Sequence, residues 1–112
     1  MLTIEYEYNE KIYKYYVGKN KKENWEIIDN ANENDVWFHV NNLPSCHVIF
    51  ENTENNKDIN DNLLLYGAFL CKKNSKFKNF NKLGVIYTKV KNVKKTNEIG
   101  AVTTTRTKKL II

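Results

Sequence analysis

The sequence has few residues that could hold a metal ion or form disulfide bonds. Its 112 residues include only two cysteines, Cys46 and Cys71, and two histidines, His39 and His47. Their spacing matches no paired zinc motif such as C-x-x-C, so the sequence predicts neither a metal site nor a cofactor. We expect the two cysteines to be reduced thiols packed in the interior of a cytoplasmic protein, with the nucleus as the alternative compartment.

Long apolar runs are also absent. The first ten residues alternate in polarity and carry three glutamates, which is the pattern of a strand rather than of a secretory signal. No apolar segment approaches the roughly 20 residues that a membrane-spanning helix needs. A chain of 112 residues can bury one modest core, so we expect a single domain over residues 1–112.

The positive charge is concentrated in the second half of the chain. Residues 1–71 hold six lysines and twelve acidic residues, a balance of −6, whereas residues 72–112 hold eleven lysines and Arg106 against Glu98, a balance of +11. The two balances sum to the net charge of +5. Such a segment favours phosphate backbones or acidic lipid surfaces as partners. The alternative is a solvated lysine-rich surface without a partner.

The hydrophobic periodicity predicts an α+β fold, with an antiparallel sheet and one principal helix packed across a face. The helix begins near Ile59, where apolar residues recur at helical spacing up to Leu70. Gly67 inside it costs about 1 kcal/mol relative to alanine, and a close approach to the sheet would compensate. Segment 19–29 gives a weaker helical signal. Strands are predicted at 2–8, 12–17, 35–40, 47–51, 84–90 and, more weakly, 108–112.

The segment from Asp35 to Val40 carries the candidate site. At strand period, Val36, Phe38 and Val40 form an apolar face, and Asp35, Trp37 and His39 lie on the opposite face. These side chains, with His47, could stack and orient unpaired bases, could act in catalysis, or could satisfy one another structurally. No nucleophile with a positioning partner accompanies them, so catalysis is the weakest of the three alternatives.

Two basic segments could bind phosphates. Residues 18–22, Gly-Lys-Asn-Lys-Lys, follow a predicted strand, but they lack the second glycine and the Lys-Ser/Thr pair of a Walker loop. Residues 72–95 interleave lysines with Phe77, Phe80 and Tyr87, the combination of charge and aromatic rings that single-stranded or looped RNA requires. These aromatic residues could instead anchor the loop to the core.

The order of these motifs resembles that of the NFACT-R domain, the RNA-binding module of ribosome-quality-control factors. The resemblance rests on Asp-x-Trp-x-His at 35–39, Pro-x-x-His-Val at 44–48, and Gly-Lys-Asn at 18–20 with Asn24. It continues through Asn-Ser-Lys at 74–76, residues 85–88, residues 93–96 and Gly100, and so covers roughly residues 12 to 102.

The resemblance implies a stand-alone, non-enzymatic RNA-binding domain that recognises structured RNA, such as tRNA or rRNA, in translation or on the ribosome. The alternatives are a protein-interaction module that docks on a ribosomal or RNA-processing partner and an accessory to a tRNA-modifying enzyme; DNA is a less favoured ligand. The candidate RNA-binding residues are Lys19, Asn20, Lys21, Lys22, Asn24, Asp35, Trp37, His39, Ser45, His47, Lys72, Lys73, Lys76, Lys91, Lys94 and Lys95.

Overall fold

The computed structural model describes all 112 residues, and it contains eight strands and two helices. A single 3₁₀ turn, Val90–Asn92, separates β5 from β6. Neither helix has the length and hydropathy that crossing a bilayer requires. The elements in chain order are β1 Leu2–Tyr8, β2 Lys11–Gly18, α1 Lys21–Asp29, β3 Val36–Val40, β4 His47–Phe50, α2 Asp61–Lys73, β5 Gly84–Lys89, β6 Val93–Lys95, β7 Val102–Thr104 and β8 Lys108–Ile111.

Six strands form one sheet in the order β1-β2-β4-β3-β5-β8, and each neighbouring pair is antiparallel. β1 and β2 form a hairpin whose two turn residues, Asn9 and Glu10, have positive φ angles of 50° and 65°. That conformation matches the right-handed twist of the two strands. β6 and β7 form a separate two-stranded sheet. The α+β class and the antiparallel sheet are therefore confirmed.

Helix α2 packs across one face of the large sheet and covers the main core of 16 buried residues. Gly67 makes the approach close: a Cβ atom at this position would lie less than 3.0 Å from three atoms of the Phe38 ring. The helix begins at the N-cap Asn60, whose side chain accepts a hydrogen bond from the Asn62 amide at 2.8 Å. The close approach of helix and sheet predicted from Gly67 is thus confirmed.

The opposite face of the sheet is also covered, which the sequence did not predict. α1 and the β6–β7 sheet enclose a second cluster of six buried residues. Ile27 and Ile28 of α1 enter this cluster beside Trp37 and Ile49 of the sheet. The expectation of one principal helix on a single face was therefore incomplete, because a nine-residue helix with only a few apolar side chains gives a weak periodic signal.

Candidate nucleic-acid interface

Four strands begin or end together at one end of the large sheet. The register pairs Gly18, the last residue of β2, with His47, the first residue of β4. It also pairs Val40, the last residue of β3, with Val85 near the start of β5. The segments that leave or enter these strands are therefore neighbours in space. We call this the basic end of the sheet, for the charges described below.

Helix α2 also ends here. The Cys46 thiol donates to the Cys71 carbonyl at 3.6 Å, which joins the β3–β4 loop to the last turn of α2. The Lys72 Nζ donates to the Ile112 carbonyl at 3.1 Å, which joins the same turn to the segment that follows β8. Residues 74–83 then connect α2 to β5 at this end of the sheet.

The segments that meet at the basic end carry an excess of positive charge. Residues 18–23, 40–47 and 71–84 contain a single acidic side chain, Glu23, whose carboxylate accepts a hydrogen bond from the Lys19 amide at 3.0 Å. The same segments contain eight lysines, of which Lys72 is half-buried and the other seven are exposed. The eight lysines are Lys19, Lys21, Lys22, Lys72, Lys73, Lys76, Lys78 and Lys82.

The loops at the opposite end of the sheet have the reverse balance. They comprise residues 9–10, 30–35, 51–60, 90–92 and 105–107. Within them, three basic residues, Lys57, Lys91 and Arg106, stand against six acidic residues. The acidic residues are Glu10, Glu33, Asp35, Glu51, Glu54 and Asp58. The fold thus separates charge along the strand direction, which the sequence alone showed only as a difference between its two halves.

The segment 18–22, with Lys19 before α1 and Lys21 and Lys22 in its first turn, is held in place by two asparagines that the sequence singled out. Asn20 caps α1, and its Oδ1 accepts a hydrogen bond from the Glu23 amide at 2.9 Å. The buried Asn24 accepts one from the His47 amide at 3.1 Å. A Cβ atom at Gly18 would overlap Asn24, so this contact requires glycine. Both asparagine side-chain oxygens therefore serve the fold, and the lysines remain free to reach a ligand.

Trp37 and the two histidines form a packed aromatic group inside the protein. The Trp37 Nε1 donates to Nδ1 of His47 at 3.1 Å, and Trp37 is only 2 % exposed. The His39 ring lies parallel to the indole with 5.6 Å between centroids. Burial lowers the pKa of His39, and burial together with His39 lowers the pKa of His47 to about 3. A base cannot stack on an indole this deeply buried, which corrects the predicted role of Trp37.

Asp35 and Ser45 also have structural partners. The Asp35 carboxylate accepts hydrogen bonds from the amides of Asn32 at 2.8 Å and Asn52 at 2.9 Å, and the residue is 3 % exposed. The Ser45 hydroxyl accepts from the Val40 amide at 3.1 Å and donates to the Cys46 carbonyl at 2.9 Å. Asp35 lies at the acidic end of the sheet, away from the lysines, so it does not share a site with them.

Three predicted lysines lie away from the basic end. Lys91 is exposed in the turn after β5, and Lys94 is exposed on β6. Lys95 pairs with Asp29 at 2.6 Å, and its Nζ is 5.1 Å from the centre of the Trp25 ring. The role of these three lysines in RNA binding stays a prediction.

Two aromatic residues are exposed at the basic end; the sequence analysis named Phe80 as part of the basic segment 72–95 but did not single out Phe69. Phe69 is 45 % exposed on α2, and Phe80 is 52 % exposed in the following loop. The Lys73 Nζ is 6.0 Å from the centre of the Phe69 ring. The sequence did contain a signal, because Phe69 falls outside the apolar stripe of α2. Lys78 and Lys82 were likewise left out of the predicted site.

The two cysteines lie close together in the interior without forming a disulfide bond. Both cysteines are free and buried. Hydrogen bonding between the two thiols lowers the pKa of Cys46 and raises the pKa of Cys71. No group of three or more His, Cys, Asp or Glu side chains is placed to hold a metal ion.

Comparison with known proteins identifies the family of the chain. Residues 4–105 match the family described as NFACT protein RNA binding domain, so the chain belongs to that family. The chain is 37 % identical over 94 residues to mouse coiled-coil domain-containing protein 25, covering 81 % of this chain and 45 % of that protein. It is 30 % identical over 82 residues to the Rqc2 homolog RqcH of Bacillus subtilis, covering 72 % of this chain and 14 % of that protein.

A solved structure has the same fold. The C-terminal part of the fibronectin/fibrinogen-binding protein from Streptococcus suis superimposes with a TM-score of 0.81 at 28 % identity, covering 89 % of this chain and 40 % of that one. The chain thus spans less than half the length of each relative named here. The family assignment predicted from residues 12–102 is confirmed.

Proposed function

We propose that the chain is a non-enzymatic domain that binds RNA through the basic end of its sheet. The observation that carries the proposal is the charge separation: residues 18–23, 40–47 and 71–84, which meet at this end, hold eight lysines and one acidic residue, and the β6–β7 turn that packs on Lys21 adds only Glu98. Lysine ammonium groups attract phosphates and release the counterions that surround a nucleic-acid backbone. The membership of the NFACT RNA-binding family favours RNA over an acidic lipid surface.

The proposed ligand is structured RNA, such as tRNA or rRNA, in ribosome-associated quality control in the cytoplasm. Two arguments support this choice: the similarity to the Rqc2 homolog RqcH, and the resemblance of the motifs to ribosome-quality-control factors. The proposed contacts are of two kinds. Lysines at the basic end hold the phosphate backbone, and the buried Asn24, Trp37 and His47 keep the lysine-bearing segment in position.

The test compares two variants with the same change in net charge. Lys22→Glu with Lys76→Glu reverses two exposed lysines at the basic end, whereas Lys14→Glu with Lys57→Glu reverses two exposed lysines elsewhere. Each protein is titrated with labelled tRNA, single-stranded RNA and duplex DNA at several salt concentrations. We expect the first variant to bind RNA more weakly, with a salt slope reduced by about 0.7 for each single-strand phosphate that it no longer neutralises.

The control variant separates a local effect from a general one. If both variants lose affinity equally, the effect is that of net charge, and no RNA surface is located at the basic end. If the unmodified domain does not bind RNA at low salt, the proposal is wrong. Protein partners would then be the next ligands to test.

A further inference from the structure

The solvent-facing side of α2 is apolar at its centre. Leu63, Leu64, Ala68 and Leu70 are buried beneath the helix, whereas Leu65 and Phe69 are 43 % and 45 % exposed on the side away from the sheet. Because residues i and i+4 lie one above the other on a helix, Leu65 and Phe69 form one exposed strip. A surface helix normally presents polar groups there.

The charge around this strip changes along the helix. Asp61 lies in the first turn of α2, and Lys72 and Lys73 lie in the last turn. Phe69 is at the lysine end, and the Lys73 Nζ is 6.0 Å from the centre of its ring. The aromatic residue of the strip is therefore the one beside the cations. A second exposed ring, Phe80, lies in the segment that connects α2 to β5.

We infer that Phe69 is a stacking site for an unpaired base, with Lys73 and Lys76 holding the phosphates on either side. The inference rests on the proposed function and adds the class of RNA, a single strand or a loop. Two features favour RNA over a protein partner: the side chains around Phe69 at this end of α2 are cationic, and exposed aromatic rings next to lysines suit bases and phosphates together.

The same geometry explains why the stacking residue is Phe69. Trp37 is enclosed between the sheet and α1, and its indole N–H is already bonded to His47. Phe69 leaves a large part of its ring in solvent. The centre of the Tyr66 ring is 5.9 Å from the centre of the Phe69 ring, and the Lys73 Nζ lies over the Phe69 ring at 6.0 Å. Because Lys73 is exposed and its side chain is flexible, a base could displace the ammonium group from the ring and leave it free to contact a phosphate.

The experiment uses Phe69→Ala and its matched control Leu65→Ala, which removes an exposed apolar side chain one turn away. Both are titrated with a single-stranded uridine oligonucleotide and with an abasic oligonucleotide of the same length, which keeps the phosphates and lacks the bases. We expect Phe69→Ala to weaken binding of the uridine oligonucleotide by about tenfold or more. Leu65→Ala should be close to the unmodified domain, and Phe69→Trp should retain or increase the affinity.

Binding of the abasic oligonucleotide should be the same for all variants, because it lacks bases to stack. If Phe69→Ala binds the uridine oligonucleotide as tightly as the unmodified domain, the stacking site is refuted while RNA binding by the basic end stands. An equal loss for both oligonucleotides would also refute stacking. If the unmodified domain binds neither oligonucleotide, the proposed RNA-binding function is refuted, and the stacking site is refuted with it.

Discussion

The indole N–H of Trp37 donates to Nδ1 of His47, with 3.1 Å between the two nitrogens. This bond fixes the tautomer of His47: Nδ1 must carry no proton, so the neutral ring holds its proton on Nε2. The main-chain amide of His47 is held in turn by Asn24, which belongs to α1. His47 thus links Trp37 in the interior of the sheet to helix α1.

The stability of the domain should depend on the protonation of His47. Burial lowers its pKa from 6.5 to about 3. Between these values the unfolded chain binds a proton that the folded protein does not, so the stability is complete above pH 6.5 and falls with the pH toward 3. From pH 7 to pH 5 the loss should be about 2 kcal/mol.

Urea unfolding at pH 7 and pH 5 measures this loss, in a range where most carboxylates stay ionised. His47→Asn keeps an acceptor near the Nδ1 position and has no titrating ring, so it should flatten the dependence. The lowered pKa of His39 also makes the folded protein less stable as the pH falls. His39→Asn therefore serves as the control, because it removes the contribution of His39 and leaves that of His47. An unaltered slope in His47→Asn would show that the ring does not titrate as the structure requires.

Trp37 should contribute to stability and not to RNA affinity. Trp37→Ala would leave a large cavity beneath α1 and should cost about 3–5 kcal/mol. Trp37→Phe keeps part of the ring but leaves His47 without its donor, so it should cost less. Urea unfolding curves measure the loss in free energy of unfolding. Titration of the folded variants with RNA measures their RNA affinity.

Phe69, in contrast, should contribute to RNA affinity and not to stability. Because its side chain is exposed, Phe69→Ala should change the free energy of unfolding by about 0.5 kcal/mol or less. The comparison therefore separates a core ring from a binding ring. A folded Trp37→Ala variant that selectively loses unpaired RNA would return the stacking role to Trp37.

Alanine at position 67 should destabilise the protein even though it favours the helix. Gly67→Ala gains about 1 kcal/mol of intrinsic helix propensity. The new Cβ atom, however, would overlap the Phe38 ring at the centre of the main core, and overpacking of this kind costs about 1–3 kcal/mol or more. A lower denaturation midpoint, compared with a nearly unchanged Leu65→Ala, would show that close packing dominates. A higher midpoint would contradict the close approach.

The sequence predicted the large sheet well because its strands alternate clearly. The half-buried residues of β1 recur at every second position, and the hairpin turn falls at Asn9 and Glu10. β6 and β7 were missed because each has three residues and contributes a single valine to the second cluster. Short strands of this kind carry too few residues for a period to be visible.

A related difficulty explains why Asp35 and Trp37 were predicted to be exposed binding residues. Asp35, Trp37 and His39 form a polar alternation when they are seen from β3 alone, and that pattern is typical of a solvated face. Only the tertiary structure shows that α1 and the small sheet cover Trp37 and that Asp35 bonds two loop amides. The exposure of the lysines, in contrast, could be predicted from the sequence, because burying a charge without a partner is costly.

The unequal distribution of lysines and acidic residues between the two ends of the sheet gives the domain an electric dipole along the strands. In the field of a polyanion, such a molecule is turned before any contact forms, so that its lysine-rich end leads. The acidic end is repelled and stays outward. Orientation during diffusion should therefore raise the association rate, and added salt should slow association more than it speeds dissociation.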